Sequence, residues 1–582
     1  MRKRKIFALF LAVILCFGAF GCSSTPETVQ VEDGQKVVQD DPGYHIRDKK
    51  LMYEQHDPLE VVTMYLTVST GNSADGTNHT WEEVNTYSVY DYEAMGVDRY
   101  KVDGLLQVGD ESGVLPGELG YGQESPNCTI QIRGQTSSRS PQKNYKISIK
   151  DNKGQWRGQS TIALNKHQTE GIRFRNKLAY DLIAGVDQIM GLRTTFVHLY
   201  VKDTTAGGDG VFRDYGLYTQ VEQLNKTALK AHGLDRNGHL YKINYFEFYR
   251  YEDTVMLKDD PGYDVKKFEE LLEIKGSDDH TKLINMLEKV NDYSIPIEDI
   301  LAENFDSENI AYWLAFNILM GNVDTQSRNV YIYSPLNSDR WYFIPWDNDA
   351  SLRKEEHKIL GRSDYSEWET GVSNYWGNVF FQRCLKSESF RTELTAAIEY
   401  LKKYLSPEKI DSLASSYASV VKPFVYRYPD STYAPLTSSQ YDTVIGGLKN
   451  EIDLNYGLYY ESYNKPMPFF IGVPEKKDGM ISILWDAAYD FDDEKITYSF
   501  ELATDSNFSN IIYKNDTLVL PTTQFDMLPQ GQYFIRVKAT NESGYTQTAF
   551  DYYVNETGKI YGTKCFYVNG EGNIVEDVYV EN

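Results

Sequence analysis

The sequence predicts an α+β chain of two lobes followed by a small all-β sandwich, and three observations lead there. At 582 residues the chain exceeds what one hydrophobic core supports, so it divides into two or three domains. Strand-like runs crowd the region from Val61 to Val221 with one helical interruption, and helical periodicity dominates the rest up to residue 464. At Lys465-Pro466-Met467-Pro468 the pattern turns to short alternating runs separated by turn residues.

The chain opens with Arg2, Lys3, Arg4 and Lys5, then an apolar run from Ile6 to Phe20. A basic start and about 15 apolar residues form a secretory signal, short of the roughly 20 residues a membrane span needs. Residues 1–21 are therefore expected to be a signal peptide. Cys22, directly after Gly21, resembles the lipidated first residue of a bacterial lipoprotein, which implies an extracytoplasmic chain anchored to the cell membrane; a plain secreted protein is the alternative. The polar stretch 22–48 reads as a flexible tether.

The net charge is −25, and losing the four basic residues of the signal takes it to −29. An acidic chain without a cationic cluster is not expected to bind nucleic acid. Hydrophobic residues at 41% and charged ones at 25% exclude a disordered or fibrous class. Cys128, Cys384 and Cys565 are too far apart for a disulfide framework or a structural zinc site.

From 49 to 464 the strands are expected at Val61–Val68, Thr129–Arg133, Asn144–Lys150, Phe196–Lys202 and Gly216–Val221, with a helix around Arg173–Ala184. In the strand after Asn144, alternation puts Tyr145, Ile147 and Ile149 on the core side and Lys146, Ser148 and Lys150 on the other. Farther on, Asp306 is placed to cap a helix carrying Ile310, Trp313, Leu314, Ile318 and Leu319, and Gly321 to end it.

A hairpin follows: Val330-Tyr331-Ile332-Tyr333, a turn at Pro335–Asp339, and Trp341-Tyr342-Phe343-Ile344. Centred on Asn337, it sets residue 329 opposite 345, so Asn329 and Asp347 meet at one end beside Asp324. Three oxygen-bearing side chains there suit a hard divalent cation such as Mg²⁺. The step from Asp324 to Asn329 also equals that from base Asp to metal-binding Asn in the protein-kinase loop H-R-D-x-x-x-x-N. Taken singly, these residues would read as turn-formers satisfying local backbone.

Ile132-Arg133-Gly134-Gln135-Thr136-Ser137-Ser138, Pro141 to Lys146, Arg175-Asn176-Lys177-Leu178-Ala179, Gly216 to Gln223 and Gly238-His239-Leu240-Tyr241-Lys242, with the two Asp motifs, resemble the CotH (spore-coat protein H) family of atypical secreted protein kinases over about 60–455. The resemblance implies a bilobal protein-kinase-like domain, ATP as co-substrate, Mg²⁺ or Mn²⁺, and transfer of the γ-phosphoryl group to Ser or Thr of a protein. It makes Asp324 the catalytic base, Asn329 a metal ligand and Asp347 the counterpart of the D-F-G Asp, with Asp349 a further ligand candidate. His-Arg is replaced by Asn322-Val323, and the third D-F-G position has no Gly.

Phosphoryl transfer needs cations around the phosphates. Arg133, Lys143 and Lys146 supply them in the kinase order of covering loop and lysine-bearing strand, though no GxGxxG is present. The helix after 173 offers only Glu170 before it and Asp181 within it to pair such a lysine. Glu222, at a strand end just before a helix, sits where a hinge would contact adenine, or alternatively pairs a lysine or favours the helix dipole. Residues 465–555, with Trp485-Asp486, Ile496-Thr497-Tyr498 and Gly531 to Ala539, resemble an immunoglobulin-like fibronectin type III sandwich; 556–582 is an unassigned tail. The competing reading is a catalytically inactive surface adhesion or scaffold protein. A carbohydrate-active enzyme is disfavoured, because Asp324 and Asp347 share one hairpin end instead of flanking a sugar bond.

Overall fold

The structure is a computed structural model that describes residues 45–55, 57–362, 366–556 and 558–576. The signal segment, Cys22 and most of the expected tether lie outside the described residues. The end of that tether is part of the folded body: Ile46 is buried and its N–H donates to Asp306 Oδ2 at 3.2 Å, and Asp48 is 2.6 Å from His232 Nδ1. The body thus begins at Ile46, three residues before the expected boundary.

The N-terminal lobe is a sheet of eight strands: β1 (Val61–Ser69), β2 (Val102–Asp110), β3 (Gly113–Val114), β4 (Cys128–Arg133), β5 (Asn144–Ile149), β6 (Thr161–Asn165), β7 (Thr194–Asp203) and β8 (Phe212–Glu222). Their order is β1-β7-β8-β6-β5-β4-β2-β3, and β1 also pairs with β2, so the sheet closes on itself. Closure removes the open edges that a flat sheet would expose. Alternation fills the inside: Ile130 and Ile132 of β4 and Tyr145 and Ile147 of β5 are buried, while Lys146 takes the other face, as the period predicts.

Helix α1 (Arg175–Ile183) packs on β7 and β8. Beyond it a second sheet has the order β10-β9-β11-β12, from β9 (His239–Ile243), β10 (Leu272–Ile274), β11 (Val330–Ser334) and β12 (Tyr342–Pro345). Helix α2 (Ser307–Met320) is apolar on every side because β12, α3 (Glu388–Tyr404) and α4 (Ser438–Tyr463) surround it. Asp306 caps it by accepting from Asn309 N, and Gly321 ends it at φ 62°. This helical lobe and the second sheet share one core, separate from that of the closed sheet.

The C-terminal region is all β: a three-stranded and a six-stranded sheet around Ile483, Trp485, Phe500, Ile535 and Phe566. The unassigned tail belongs to it. Thr563–Val568 pairs with Gly531–Arg536 and carries Ile574–Glu576 beside it, so the module runs past 555 to at least 576. Trp376 stacks on Tyr489 at 5.1 Å and Trp368 meets Phe550 edge-on at 5.0 Å, which joins the module to the helical lobe. No helix among the described residues is long and apolar enough to cross a membrane.

Candidate active site

The hairpin forms with a register one residue away from the expected one. Val330 lies opposite Pro345 and Tyr333 opposite Tyr342, because the intervening loop from Ser334 to Trp341 holds an even number of residues and the axis falls between Asn337 and Ser338. Asn329 therefore faces Trp346, whose N–H donates to Asn329 O at 3.2 Å. Asp347 is the next residue, so the backbones of Asn329 and Asp347 lie at the same end of the hairpin.

Asn329 and Asp347 both adopt left-handed backbone, φ 58° and 55°. Asn and Asp tolerate this conformation better than other side chains, and strained residues held by rigid surroundings gather at functional sites. The surroundings here are specific. Asn322, after Gly321, donates to Asn317 Oδ1 of α2 at 3.0 Å, while Asn374 and Asn378 donate to the carbonyls of Val323 and Gln326 at 3.2 and 3.0 Å.

Asp324 is engaged on both oxygens. Arg328 contacts Oδ1, and Asn329 Nδ2 donates to Oδ2 at 3.2 Å. Arg328 is itself held by Tyr245, whose hydroxyl accepts from Nη1 at 2.6 Å.

Asp347 differs: no hydrogen bond reaches its carboxylate among the described residues. Burial raises its pKa, the neighbouring Asp349 charge adds to the rise, and His167, Arg133 and Lys242 oppose it. Asp349 is partnered by His167, whose Nδ1 lies 3.5 Å from Oδ2; burial works against its charge, but His167, Arg353 and Arg175 hold the carboxyl below its ordinary value.

Two cations nearby are likewise without a carboxylate partner within ion-pair distance among the described residues. Arg133, at the end of β4, lies over the Trp346 ring at 5.8 Å, and burial lowers its pKa while Asp347 raises it. Lys146, on the outer face of β5, is lowered by burial and then by Lys275, Lys101, Arg133 and Arg99. Arg133 and Lys242 thus act on the Asp347 carboxylate, and Lys146 lies among Lys275, Lys101, Arg133 and Arg99, on a chain whose net charge is −25.

A family model described as CotH kinase protein matches residues 130–458. The chain belongs to the CotH kinase family. A curated relative, inner spore coat protein H of Bacillus subtilis strain 168, is 22% identical over 324 residues, covering 54% of this chain and 82% of the relative. Among solved structures, the Helicobacter pylori proinflammatory kinase CtkA aligns at 10% identity with a TM-score of 0.25, over 55% of this chain and 94% of that one. HipA in the Shewanella oneidensis MR-1 HipA, HipB and operator DNA complex aligns at 11% and 0.26, over 64% and 78%. Neither structural score supports an argument about the site.

In this CotH-family chain two of the expected site residues stand elsewhere. Lys143 is buried and donates to Ser138 O at 2.6 Å, closing the turn after Gly134 instead of facing Asp347. Glu222 is buried and ion-paired: Arg193 Nη2 lies at 2.6 Å and His232 Nε2 at 3.0 Å. Burial alone would raise the Glu222 carboxyl, but His232 and Arg193 bring it to about 2. Its backbone N–H donates to Arg193 O, so neither the carboxylate nor that N–H is open to a purine.

Sequence reasoning leaves out three residues: Lys242 and His167, which act on Asp347, and Glu273, which pairs Lys242. Lys242 sits in the quoted Gly238–Lys242 motif, so its strand position was readable. Glu273 lies in a three-residue strand without periodic signal, and His167, at φ 48°, in a turn.

Among the described residues no three His, Cys, Asp or Glu side chains form a group able to hold a metal ion. The oxygen donors are a mixed set: Asp347, the Asn329 amide and Asp349. Two neighbouring carboxylates, one without a hydrogen bond and raised by burial, fit a hard cation with oxygen ligands, whose other positions go to water and phosphate.

Proposed function

We propose that this CotH-family protein transfers the γ-phosphoryl group of ATP to Ser or Thr hydroxyls of extracytoplasmic or cell-surface proteins, with Mg²⁺ or Mn²⁺. The observation that carries the reading is an Asp347 carboxylate that no hydrogen bond reaches beside the Arg133 cation that acts on it, with Lys146 next to Arg133 and neither cation within ion-pair distance of a carboxylate among the described residues. Leaving such charges without partners is unfavourable in a folded protein unless a ligand completes them.

Asn329 and Asp347, with Asp349 beside them, would hold the divalent ion, which neutralises charge on the phosphates when bound. Arg133 and Lys146 bind the phosphate oxygens. Asp324 receives the proton as the acceptor hydroxyl attacks the γ-phosphorus and the bond to the bridging oxygen of the leaving ADP breaks. Arg328 must leave Asp324 Oδ1 for this to happen. Cys22 would anchor the chain by lipid, and the C-terminal β module, with a fibronectin type III-like pattern, would serve as a surface spacer.

The same Arg328 contact favours a second reading, a silent scaffold that uses the kinase-like fold for binding. Labelled ATP with Mg²⁺ or Mn²⁺ decides between them. Incorporation into the protein itself or into Ser-rich peptides, lost in Asp324→Ala and Asp347→Ala, supports the kinase. No incorporation and no metal-dependent nucleotide binding leaves the scaffold.

A further inference from the structure

We infer that Lys242 positions the nucleotide phosphates and that Glu273 sets Lys242 for that task, an inference that rests on the kinase reading above. Protein kinases fix a phosphate-binding lysine with a helix-borne carboxylate. The helix in that place here has none to give. Asp181 is taken by Lys177 at 2.8 Å, and Glu170 caps the helix by accepting from Phe174 N and Arg175 N at 3.0 and 2.9 Å.

The second sheet supplies the pair instead. Lys242 and Glu273 are direct partners in the β9–β10 ladder, and Lys242 Nζ donates to Glu273 Oε1 at 2.7 Å. Asn244 Nδ2 donates to the same oxygen at 3.0 Å, and Lys275 Nζ lies 2.8 Å from Oε2. Glu273 is thus held from two sides, and its group carries net positive charge. Burial would raise its carboxyl, but Lys242 and Lys275 bring it to about 2.

Lys242 is also opposite Tyr331 in the β9–β11 ladder, and directly opposed residues project to one face of a sheet. Tyr331 meets the ring of Trp346 edge-on at 5.3 Å, and Trp346 precedes Asp347. The face bearing Lys242 and Glu273 therefore leads to the proposed metal ligand, and side-chain exposures of 23% and 28% leave the pair within reach of a ligand.

The test measures binding of ATP and AMP, with Mn²⁺, to the full chain, to Lys242→Met, Lys242→Arg and Glu273→Gln, recording melting for each. Loss of one charge-assisted contact to the outer phosphates should weaken ATP about tenfold in Lys242→Met and leave AMP within about threefold. Lys242→Arg should recover most of the loss, and Glu273→Gln should shift ATP in the same direction by a smaller factor. A purely structural pair would lower melting and weaken both nucleotides in step. That result, or unchanged ATP binding in Lys242→Met and Glu273→Gln, overturns the assignment. If Lys242→Met does not fold, the ATP-to-AMP ratio in Glu273→Gln decides. A wild type that binds no nucleotide overturns the kinase reading and this assignment with it; a binding wild type with unaffected variants overturns this assignment alone.

Discussion

The buried cluster of Asp48, His232, Glu222 and Arg193 makes stability depend on pH with a definite sign. Burial would lower the pKa of His232, but Asp48 and Glu222, at 2.6 and 3.0 Å, raise it from 6.5 to about 9. The charged imidazolium is therefore favoured by folding. Its contribution is fully present below pH 6.5 and is lost as pH rises through about 9. A rise of this size corresponds to about 3 kcal/mol, or roughly 5 °C of melting temperature in a chain this large. Glu222, lowered from 4.5 to about 2, reports the same contacts from the other side: its contribution is present above 4.5 and lost as pH falls toward 2. Lys166 has the opposite slope at high pH, because burial brings it down to about 8. The informative quantity is accordingly the difference between wild type and His232→Asn in thermal melting from pH 6 to 10. Wild type should lose roughly 5 °C more than the variant across that range. Parallel curves would refute the reasoning.

Glu222→Gln should destabilise by about 3 kcal/mol, since it leaves buried cations unpaired, and leave ATP affinity within about twofold; calorimetry and nucleotide titration check both halves. Lys146→Met should raise KM for ATP about tenfold with little change in melting, whereas Lys143→Met should lower melting with KM nearly unchanged, because Lys143 is spent on Ser138 O. Asp347→Asn should abolish metal-dependent nucleotide binding and raise the melting temperature by roughly 2 °C by removing about 1 kcal/mol of charge desolvation; a fall in melting would contradict the half-buried, hydrogen-bond-free carboxylate. Trp376→Ala, at 5% exposure between lobe and module, should cost about 3 kcal/mol and open the chain to proteolysis near 464–467.

Much of the fold was legible because period-2 and period-3.6 patterns are local. The buried alternation in β4 and β5, the Asp306 cap and the Gly321 stop follow from residues a few positions apart. The misses have a common cause in contacts remote in sequence. Glu222 reads as a hinge residue at a strand end until Arg193 and His232, from other elements, close on it. Lys143 and Lys146 look equivalent in the chain, and only the turn's need for a donor at Ser138 O separates them. The hairpin register slipped because Pro335–Asp339 fixes a loop but not the parity of its length. The tail joined the module through pairing with Gly531–Arg536, a partner that no pattern within 556–582 names.

The net charge of −25 taken as a whole opposes binding of a polyphosphate, yet distance reverses that judgement. At 0.1 M salt the Debye length is about 10 Å, so acidic side chains spread over the surface act weakly on the site around Asp347. Arg133, Lys146 and Lys242 are partly buried, where the dielectric is lower and screening is slight. The local field is therefore cationic inside an acidic protein. Glu273 is neutralised by Lys242 and Lys275, but Asp347 and Asp349 also stand in that field, and two further carboxylates among cations are what a phosphate site would exclude unless a divalent ion sat between them and the phosphates. Nucleotide affinity should then depend far more steeply on the divalent ion than on monovalent salt, and a strong loss to monovalent salt alone would place the phosphates away from Asp347.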